Sequence, residues 1–357
     1  MAESVTTDLN NVSAWQYDLP KELIASRPAK RRDDARLMVV SRRGPSISHH
    51  RMRELPDLLQ SGDRLVFNDT RVLPARLFGR RTQTGGRWEG LFLNSQSDGC
   101  WRITGHTRGK LCAGESITLH PPRAAEPTLR LHLMQRNHDG SWICRPECDR
   151  EITAVLDEFG TLPLPPYIGR PVADDQDRDR YQTVFAARPG AIAAPTAGLH
   201  FTPALFSGLD KRNIHRSAIT LHVGIGTFQP VSTKNLSDHR IHSEWCELSN
   251  SVAADIRTTQ SSGGRIVAVG TTCVRTLEST AATGGLLPFR GITDLFIRPG
   301  FEFRVVDQLL TNFHLPGSTL IVMVAALAGY DLILEAYRVA IAERYRFYSY
   351  GDAMLIL

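Results

Sequence analysis

The chain has 357 residues, 42% hydrophobic and 22% charged, with a mean hydropathy of −0.20, enough for one large or two ordinary domains. Its formal charge of +5 is unevenly placed: residues 68–150 hold 13 Lys and Arg against 8 Asp and Glu, and the rest is neutral. The longest apolar run, Leu320–Ala328, falls well short of the roughly 20 residues of a membrane span. Met1–Asn11 carries Glu3 and Asp8 and lacks the apolar stretch of a secretory signal, so a cytoplasmic protein without membrane contact is expected. Six cysteines scattered over Cys100–Cys273 exclude a disulfide scaffold. Cys144 and Cys148 are spaced like half a metal site, but no tight second pair follows, and no metal is expected.

In chain order, residues 1–12 are polar and read as frayed, and residues 17–24 as a short helix entry around Leu19-Pro20. Strands are predicted over 35–41 and 65–67, with a short helix over 55–60 between them. From Val72 to Ile143 six short β-type runs recur about every ten residues, at 75–78, 88–93, 101–104, 116–119, 129–134 and 141–144. Gly, Asn, Asp and Pro separate them, which predicts a small antiparallel barrel. The basic excess lies in this segment, and a localised excess of that kind is the footprint of a polyanion such as nucleic acid.

A helix is predicted over 151–159, a proline-rigid connector over 162–167, and a charged loop or helix start over 174–180. Strands then alternate with helices: strands over 219–223, 265–269, 295–297 and 309–312, helices over 251–258, after the Gly270-Thr-Thr272 turn through 278, and over 318–327 and 331–344. The expected fold is α/β: a larger domain (1–67 and 153–357) with a mixed, partly parallel sheet, and a small inserted antiparallel β-barrel domain (68–152).

Five stretches have the residue types of a site. AIAAPTAGLHF (191–201) carries seven small or proline residues in its first eight, Thr196 among them, and lets a flat ligand approach backbone. Its His200 precedes a predicted helix N-cap at Thr202, where an imidazole stays neutral, as a general base must. TLHVGIGTF (220–228) runs a strand into Gly224-x-Gly226, the shape of a nucleotide loop without its third glycine, with His222 either in the site or in the core. VGTTCVRTLE (269–278) puts Thr271, Thr272 and Arg275 at a helix N-terminus that suits a carboxylate or phosphate. NDTR (68–71) closes a strand at the domain junction with Asp69 and Arg71. NFHLPGST (312–319) leads Asn312 and His314 into another helix start. His239-Arg-Ile-His242-Ser-Glu244 has helical metal spacing without a further ligand set and reads as a polar loop.

These stretches carry a resemblance. With YDLPKELI (17–24), LVFNDTRVLPARL (65–77), LPLPPYI (162–168), RYQTVFAARPGAIAAPTAGLHF (180–201), TLHVGIGTFQP (220–230), HRIHSE (239–244), IVAVGTTCVRTLES (266–279), residues 294–320 and AERYRFYSYGDAMLI (342–356), the chain resembles the S-adenosylmethionine:tRNA ribosyltransferase-isomerases of queuosine biosynthesis from end to end. The resemblance implies a larger α/β domain with a small barrel insertion. It also implies transfer of the ribosyl part of S-adenosylmethionine to 7-aminomethyl-7-deazaguanine at the tRNA wobble position, giving epoxyqueuosine, adenine and methionine. No metal or redox cofactor is needed, S-adenosylmethionine being a co-substrate; no obligate protein partner is expected, and the chain is expected to be a monomer.

Within that scheme His200 or His222 is expected as the base, with Asp69 and Glu244 as carboxylate alternatives. Arg71 and Arg275 are expected to hold the methionine carboxylate or a phosphate. Thr196, Gly224, Gly226, Thr271, Thr272, Asn312 and His314 are expected around the donor, and Arg80, Arg81, Arg108 and Lys110 against tRNA. The chain departs from the family in three places. Gly317 stands where a Lys is usual, so Arg298, Lys234 or another cation is expected to replace it. Trp88-Glu89-Gly90 stands for the usual Val-Glu-Val, and the extension to Ala14 has no counterpart.

Overall fold

The structure, a computed structural model, describes residues 7–170, 172–224, 226, 231–281 and 285–357. In chain order its strands and helices begin with β1 (Arg36–Ser41), β2 (Ser46–Arg51), α1 (Leu55–Leu58), β3 (Arg64–Asn68), β4 (Thr70–Val72), β5 (Arg76–Arg81), β6 (Arg87–Ser95), β7 (Trp101–Thr107), β8 (Ser116–His120), β9 (Leu129–Arg136) and β10 (Trp142–Pro146). They continue with α2 (Ile152–Phe159), β11 (Gly160–Thr161), α3 (Asp175–Arg180), β12 (Arg188–Ala191), α4 (Pro203–Lys211), β13 (His215–Leu221), β14 (Glu244–Leu248) and α5 (Asn250–Ser261). The last are β15 (Ile266–Val269), α6 (Thr271–Ala281), β16 (Phe289–Thr293), β17 (Gln308–Asn312), α7 (Thr319–Ala328), α8 (Tyr330–Ala342) and β18 (Ala353–Ile356). Two compact units result. The larger comprises Met1–Thr70, Arg180–Arg188 and Ala194–Leu357, and the smaller Arg71–Asp179 with Pro189–Ala193.

The larger unit is built on a nine-stranded sheet of order β16-β14-β13-β3-β15-β17-β18-β1-β2. Its centre, β13-β3-β15-β17, is parallel. β3, β15 and β17 are apolar on both faces, as burial under helices on each side requires: Leu65, Val66, Phe67, Val267, Ala268, Val269, Leu309 and Leu310 are all buried. One face packs on α1 and α4 through Leu205, Leu209 and the Phe67–Phe201 edge contact at 4.8 Å. Helices α5 and α6 pack on the other. β14 and β16 extend the sheet antiparallel at one side, and β18 runs antiparallel to β17.

Because β3, β13, β15 and β17 are parallel neighbours, their C-terminal ends lie along one edge. The turns at Asn68, at His222–Gly224, at Gly270–Thr272 and at Asn312 therefore emerge side by side, and this edge is where open α/β sheets place ligands.

In the smaller unit all six predicted β-runs are strands, and they close as β5-β6-β7-β10-β9-β8 with β8 pairing back to β5. Trp88, Phe92, Trp101, Ile103, Leu131 and Trp142 fill the interior, and α2 adds Val155, Leu156 and Phe159 to the same core. A Trp fits at position 88 because the neighbouring pair, Gly90 opposite Gly105, has no side chains. A Cβ at Gly90 would lie 2.1 Å from the indole, and one at Gly105 2.5 Å. The composition break pointed to a boundary near 152; the compact unit runs on to Asp179, with α2 in the barrel core and β11 paired to β5.

Several elements differ from expectation. Residues 295–297 form no strand; the ladder partner of β14 is β16, whose Arg290 and Gly291 mask its β character in the sequence. β14 grows out of the polar HRIHSE stretch, and β2 and β18 had no distinct signal. Residues 11–15 are ordered by burial of Val12 and Trp15 and by an Asn11–Asn235 bridge. Among the described residues no single helix is long and apolar enough to cross a membrane, and no group of three or more His, Cys, Asp or Glu is placed to hold a metal.

Candidate active site

At the carboxyl edge Asn68 closes β3 and locks it to β13. Its Nδ2 donates to Leu221 O (2.9 Å), and its Oδ1 accepts from Leu221 N (3.0 Å) and Thr70 N (3.1 Å). This Asx-turn fixes the two residues that follow. Asp69 accepts from Thr220 Oγ1 at 2.6 Å, and Thr70 Oγ1 lies 2.8 Å from His222 Nδ1. The His222 ring stacks on Trp245, with centroids 4.9 Å apart and planes 16° from parallel. Burial lowers the His222 pKa, and the Asp69 carboxylate opposes part of that shift, so the imidazole is neutral at pH 7. No partner for His222 Nε2 is present among the described residues. Beside it Glu247 pairs with Arg188 at 2.8 Å and with Arg290 at 3.6 Å.

His200 is placed differently. It is buried on the edge, where Asn312 Nδ2 meets its Nε2 at 3.2 Å. The same Nδ2 donates to Asp352 O at 3.3 Å and Asn312 Oδ1 accepts from Thr196 Oγ1 at 2.7 Å, so the amide orientation is fixed with its N–H toward the imidazole. The His200 Nε2 lone pair is thus occupied. Burial lowers the pKa of His200 to about 4. Thr202 caps α4 as expected, accepting from Leu205 N. His314 is likewise buried, with its pKa lowered to about 3, its Nε2 on Thr311 Oγ1 (2.8 Å) and its N–H on Tyr337 Oη (2.9 Å). Thr196, Asn312 and His314 thus brace β17 and its neighbours.

On the other face of the β13–β14 ribbon Glu244 and Arg275 form a buried ion pair, with side chains 5% and 8% exposed. Glu244 Oε1 also accepts from Gly224 N at 2.8 Å, and Arg275 donates to the carbonyls of Leu295, His242 and Thr293. Arg275 was expected to reach an anion and Glu244 to act as a base; in the fold they tie α6, β14, β16 and the turn after β13 to one another. The pair forms part of a narrow cleft with Gly226, His242, Phe296 and Thr319, in which His242 packs where a Gly226 side chain would sit. Thr319 opens α7 behind its N-cap Ser318. Thr271 is buried at the start of α6, and Gly270, at φ +92°, brings that turn close to Ala197 of the small-residue stretch.

Gly317 adopts φ +63°, and a Cβ there would meet Gln16 Nε2 at 2.4 Å, so Gln16 fills this corner. Arg298 stacks on Phe296, a wall of the cleft, with its guanidinium carbon 5.6 Å from the ring centroid, whereas Lys234 O accepts from Val12 N at the far end of the chain. Arg71 is exposed in the smaller unit. There Arg81 is held by Glu115 at 2.6 and 2.9 Å, against the expectation that it meets tRNA, while Arg80, Arg108 and Lys110 are exposed and pair with no carboxylate among the described residues. Thr70, Trp245 and Arg87 were not singled out from sequence. The first two flank His222, and Arg87 sits opposite Arg80.

Comparison with known proteins agrees with this architecture. The family described as queuosine biosynthesis protein matches residues 12–356. A curated relative from Erythrobacter litoralis is 46% identical over 97% of this chain and 98% of its own, and one from Thermosynechococcus vestitus 47% identical over 97% and 96%. Both are named S-adenosylmethionine:tRNA ribosyltransferase-isomerase. The crystal structure of S-adenosylmethionine tRNA ribosyltransferase from Thermotoga maritima is 36% identical and covers 96% of this chain and 100% of its own with a TM-score of 0.54. The chain is an enzyme and belongs to the queuosine biosynthesis family of S-adenosylmethionine:tRNA ribosyltransferase-isomerases.

Proposed function

We propose that this enzyme moves the ribosyl part of S-adenosylmethionine onto 7-aminomethyl-7-deazaguanine at the wobble position of a tRNA, giving epoxyqueuosine with release of adenine and methionine. It acts as a cytoplasmic monomer, with S-adenosylmethionine as co-substrate and without a cofactor. The sulfonium acidifies the 5′ carbon of the ribose. A base takes that proton, the sugar opens and adenine departs; the amine of the RNA base then attacks, and epoxide closure expels methionine.

The observation that carries the reading is the row of four polar turns along one sheet edge in a chain of this family. We place the donor along that edge, between the Phe296–Thr319 cleft and His222, which border the turn after β13 on either side. The cleft measures only about 40 Å³, so donor binding parts its walls. His222 takes the role of base. Thr70 Oγ1 reaches Arg188 O at 3.5 Å; donating there, it accepts from His222 Nδ1–H and leaves the lone pair on Nε2. Asp69 stabilises the imidazolium that forms. His200, with its lone pair occupied, supports the edge.

Incubation with donor and precursor-bearing tRNA, read by adenine release and nucleoside mass, tests this. His222→Asn is expected to slow adenine release about 100-fold or more with unchanged unfolding temperature. Turnover near wild type in that variant, or formation of S-adenosylhomocysteine by the wild type, contradicts the scheme.

A further inference from the structure

Residues 68–150 hold thirteen basic side chains, and the structure sorts them. Arg76, Arg81, Arg102, Arg123, Arg130, Arg145 and Arg150 each pair with a carboxylate. Arg71, Arg80, Arg87, Arg108, Lys110 and Arg136 have no such partner among the described residues. Three of these six are not scattered. Strand register sets Arg80 opposite Arg87, and the Trp88–Thr107 pair brings Arg108, the residue just after β7, alongside. A second row lies next to them on the same outer face, because side chains alternate along each strand: His120 opposite Phe78, Phe78 opposite Glu89, and Glu89 opposite His106. Glu89, the single carboxylate among these row residues, is neutralised by Arg76 at 2.5 and 2.8 Å. Both rows line one open cleft of about 480 Å³, a volume suited to a nucleotide.

We propose that this cleft of the barrel grips the RNA substrate, with Arg80, Arg87 and Arg108 on consecutive backbone phosphates and Phe78, His106 and His120 against the base between them. The inference rests on the tRNA reading above and names the surface that serves it. Three guanidiniums in a row, unneutralised, match the charge of an RNA backbone and no apolar or cationic partner. The flanking aromatic and imidazole rings supply the stacking surfaces that loop and single-stranded RNA use, whereas an acidic peptide has no base to stack. The cleft makes few sequence-specific demands, so it holds the strand in register rather than reading it.

The test is binding of a tRNA transcript by fluorescence anisotropy at several salt concentrations, with the full chain carrying Arg80→Gln, Arg87→Gln and Arg108→Gln together. Each lost phosphate contact removes about 0.7 from the slope of log affinity against log salt, so the triple variant is expected to lose about 2. Its KM for tRNA is expected to rise at least tenfold with kcat at saturating tRNA unchanged. The triple Lys variant at the same positions keeps most of the slope, and Arg136→Gln, exposed and unpaired but outside the cleft, binds as wild type. All three arginines are exposed, and an unchanged thermal transition confirms the fold. Wild-type tRNA binding with an unaltered slope in the triple Gln variant overturns the cleft alone. Failure of the wild-type protein to bind tRNA overturns the cleft and the tRNA reading together.

Discussion

Replacing Arg275 with Met removes the counter-ion of Glu244 and leaves a carboxylate 5% exposed beneath the turn after β13. Arg275 also donates to three carbonyls, from Leu295, His242 and Thr293, so the substitution strips donors from the β14–β16 corner as well. Breaking a buried pair from one side costs about 3–5 kcal/mol, because an uncompensated charge remains. At roughly 2–4 °C per kcal/mol for a unit of this size, the thermal midpoint drops on the order of 10 °C. Pairing the change with Glu244→Gln removes the stranded charge while keeping an acceptor for Gly224 N, and is expected to recover more than half of the loss. Urea and thermal unfolding followed by circular dichroism measure all three proteins. If Arg275→Met unfolds within about 0.5 kcal/mol of wild type and instead loses donor affinity, Arg275 is a ligand contact and the structural assignment is wrong.

Acid sensitivity follows from two buried imidazoles, His200 with its pKa lowered to about 4 and His314 to about 3. A depressed histidine binds fewer protons folded than unfolded, so its stabilisation is complete above the unfolded value near 6.5 and is lost as pH falls toward the folded one. Each contributes a loss of roughly 2–3 kcal/mol between pH 6.5 and 4.5; urea midpoints that stay level across that window refute it, and His200→Asn should flatten the curve. Gly90→Ala drives a methyl to 2.1 Å from the Trp88 ring and 2.5 Å from the Thr104 carbonyl, and neither a packed indole nor a ladder carbonyl gives way cheaply. It is expected to destabilise the barrel by more than about 2 kcal/mol; a near-wild-type transition by tryptophan fluorescence shows that Trp88 is seated differently.

Six strands of the barrel were legible because each alternates apolar and polar residues between turn signals. The parallel centre was legible because β3, β15, β17 and the second half of β13 are short apolar runs that lead into turns with Gly, Asn or Thr. β18 and β14 were not. AMLI at the chain end is too short to carry a period, and β14 starts within a polar motif and takes its strand character from pairing with β16. For the site, the turns were legible and the roles were not. Glu244 and Arg275 are 31 residues apart, and only α6 packing under β14 joins them. His200 and His222 look alike in sequence, yet Asn312 occupies the lone pair of one and Thr70 orients the other. The contrast between Arg80 and Arg81 was available in principle, since neighbours on a strand face opposite ways. Arg81 faces Glu115, a partner 34 residues away.

The central claim, that the sugar and not the methyl group of the donor reaches the RNA, is tested most directly by two labelled donors. S-adenosylmethionine labelled in the ribose carbons is expected to pass its label to precursor-bearing tRNA in step with purine release, while a methyl label is expected to stay with free methionine. Methyl label in the RNA, or RNA that gains neither label while the donor is consumed, contradicts the account.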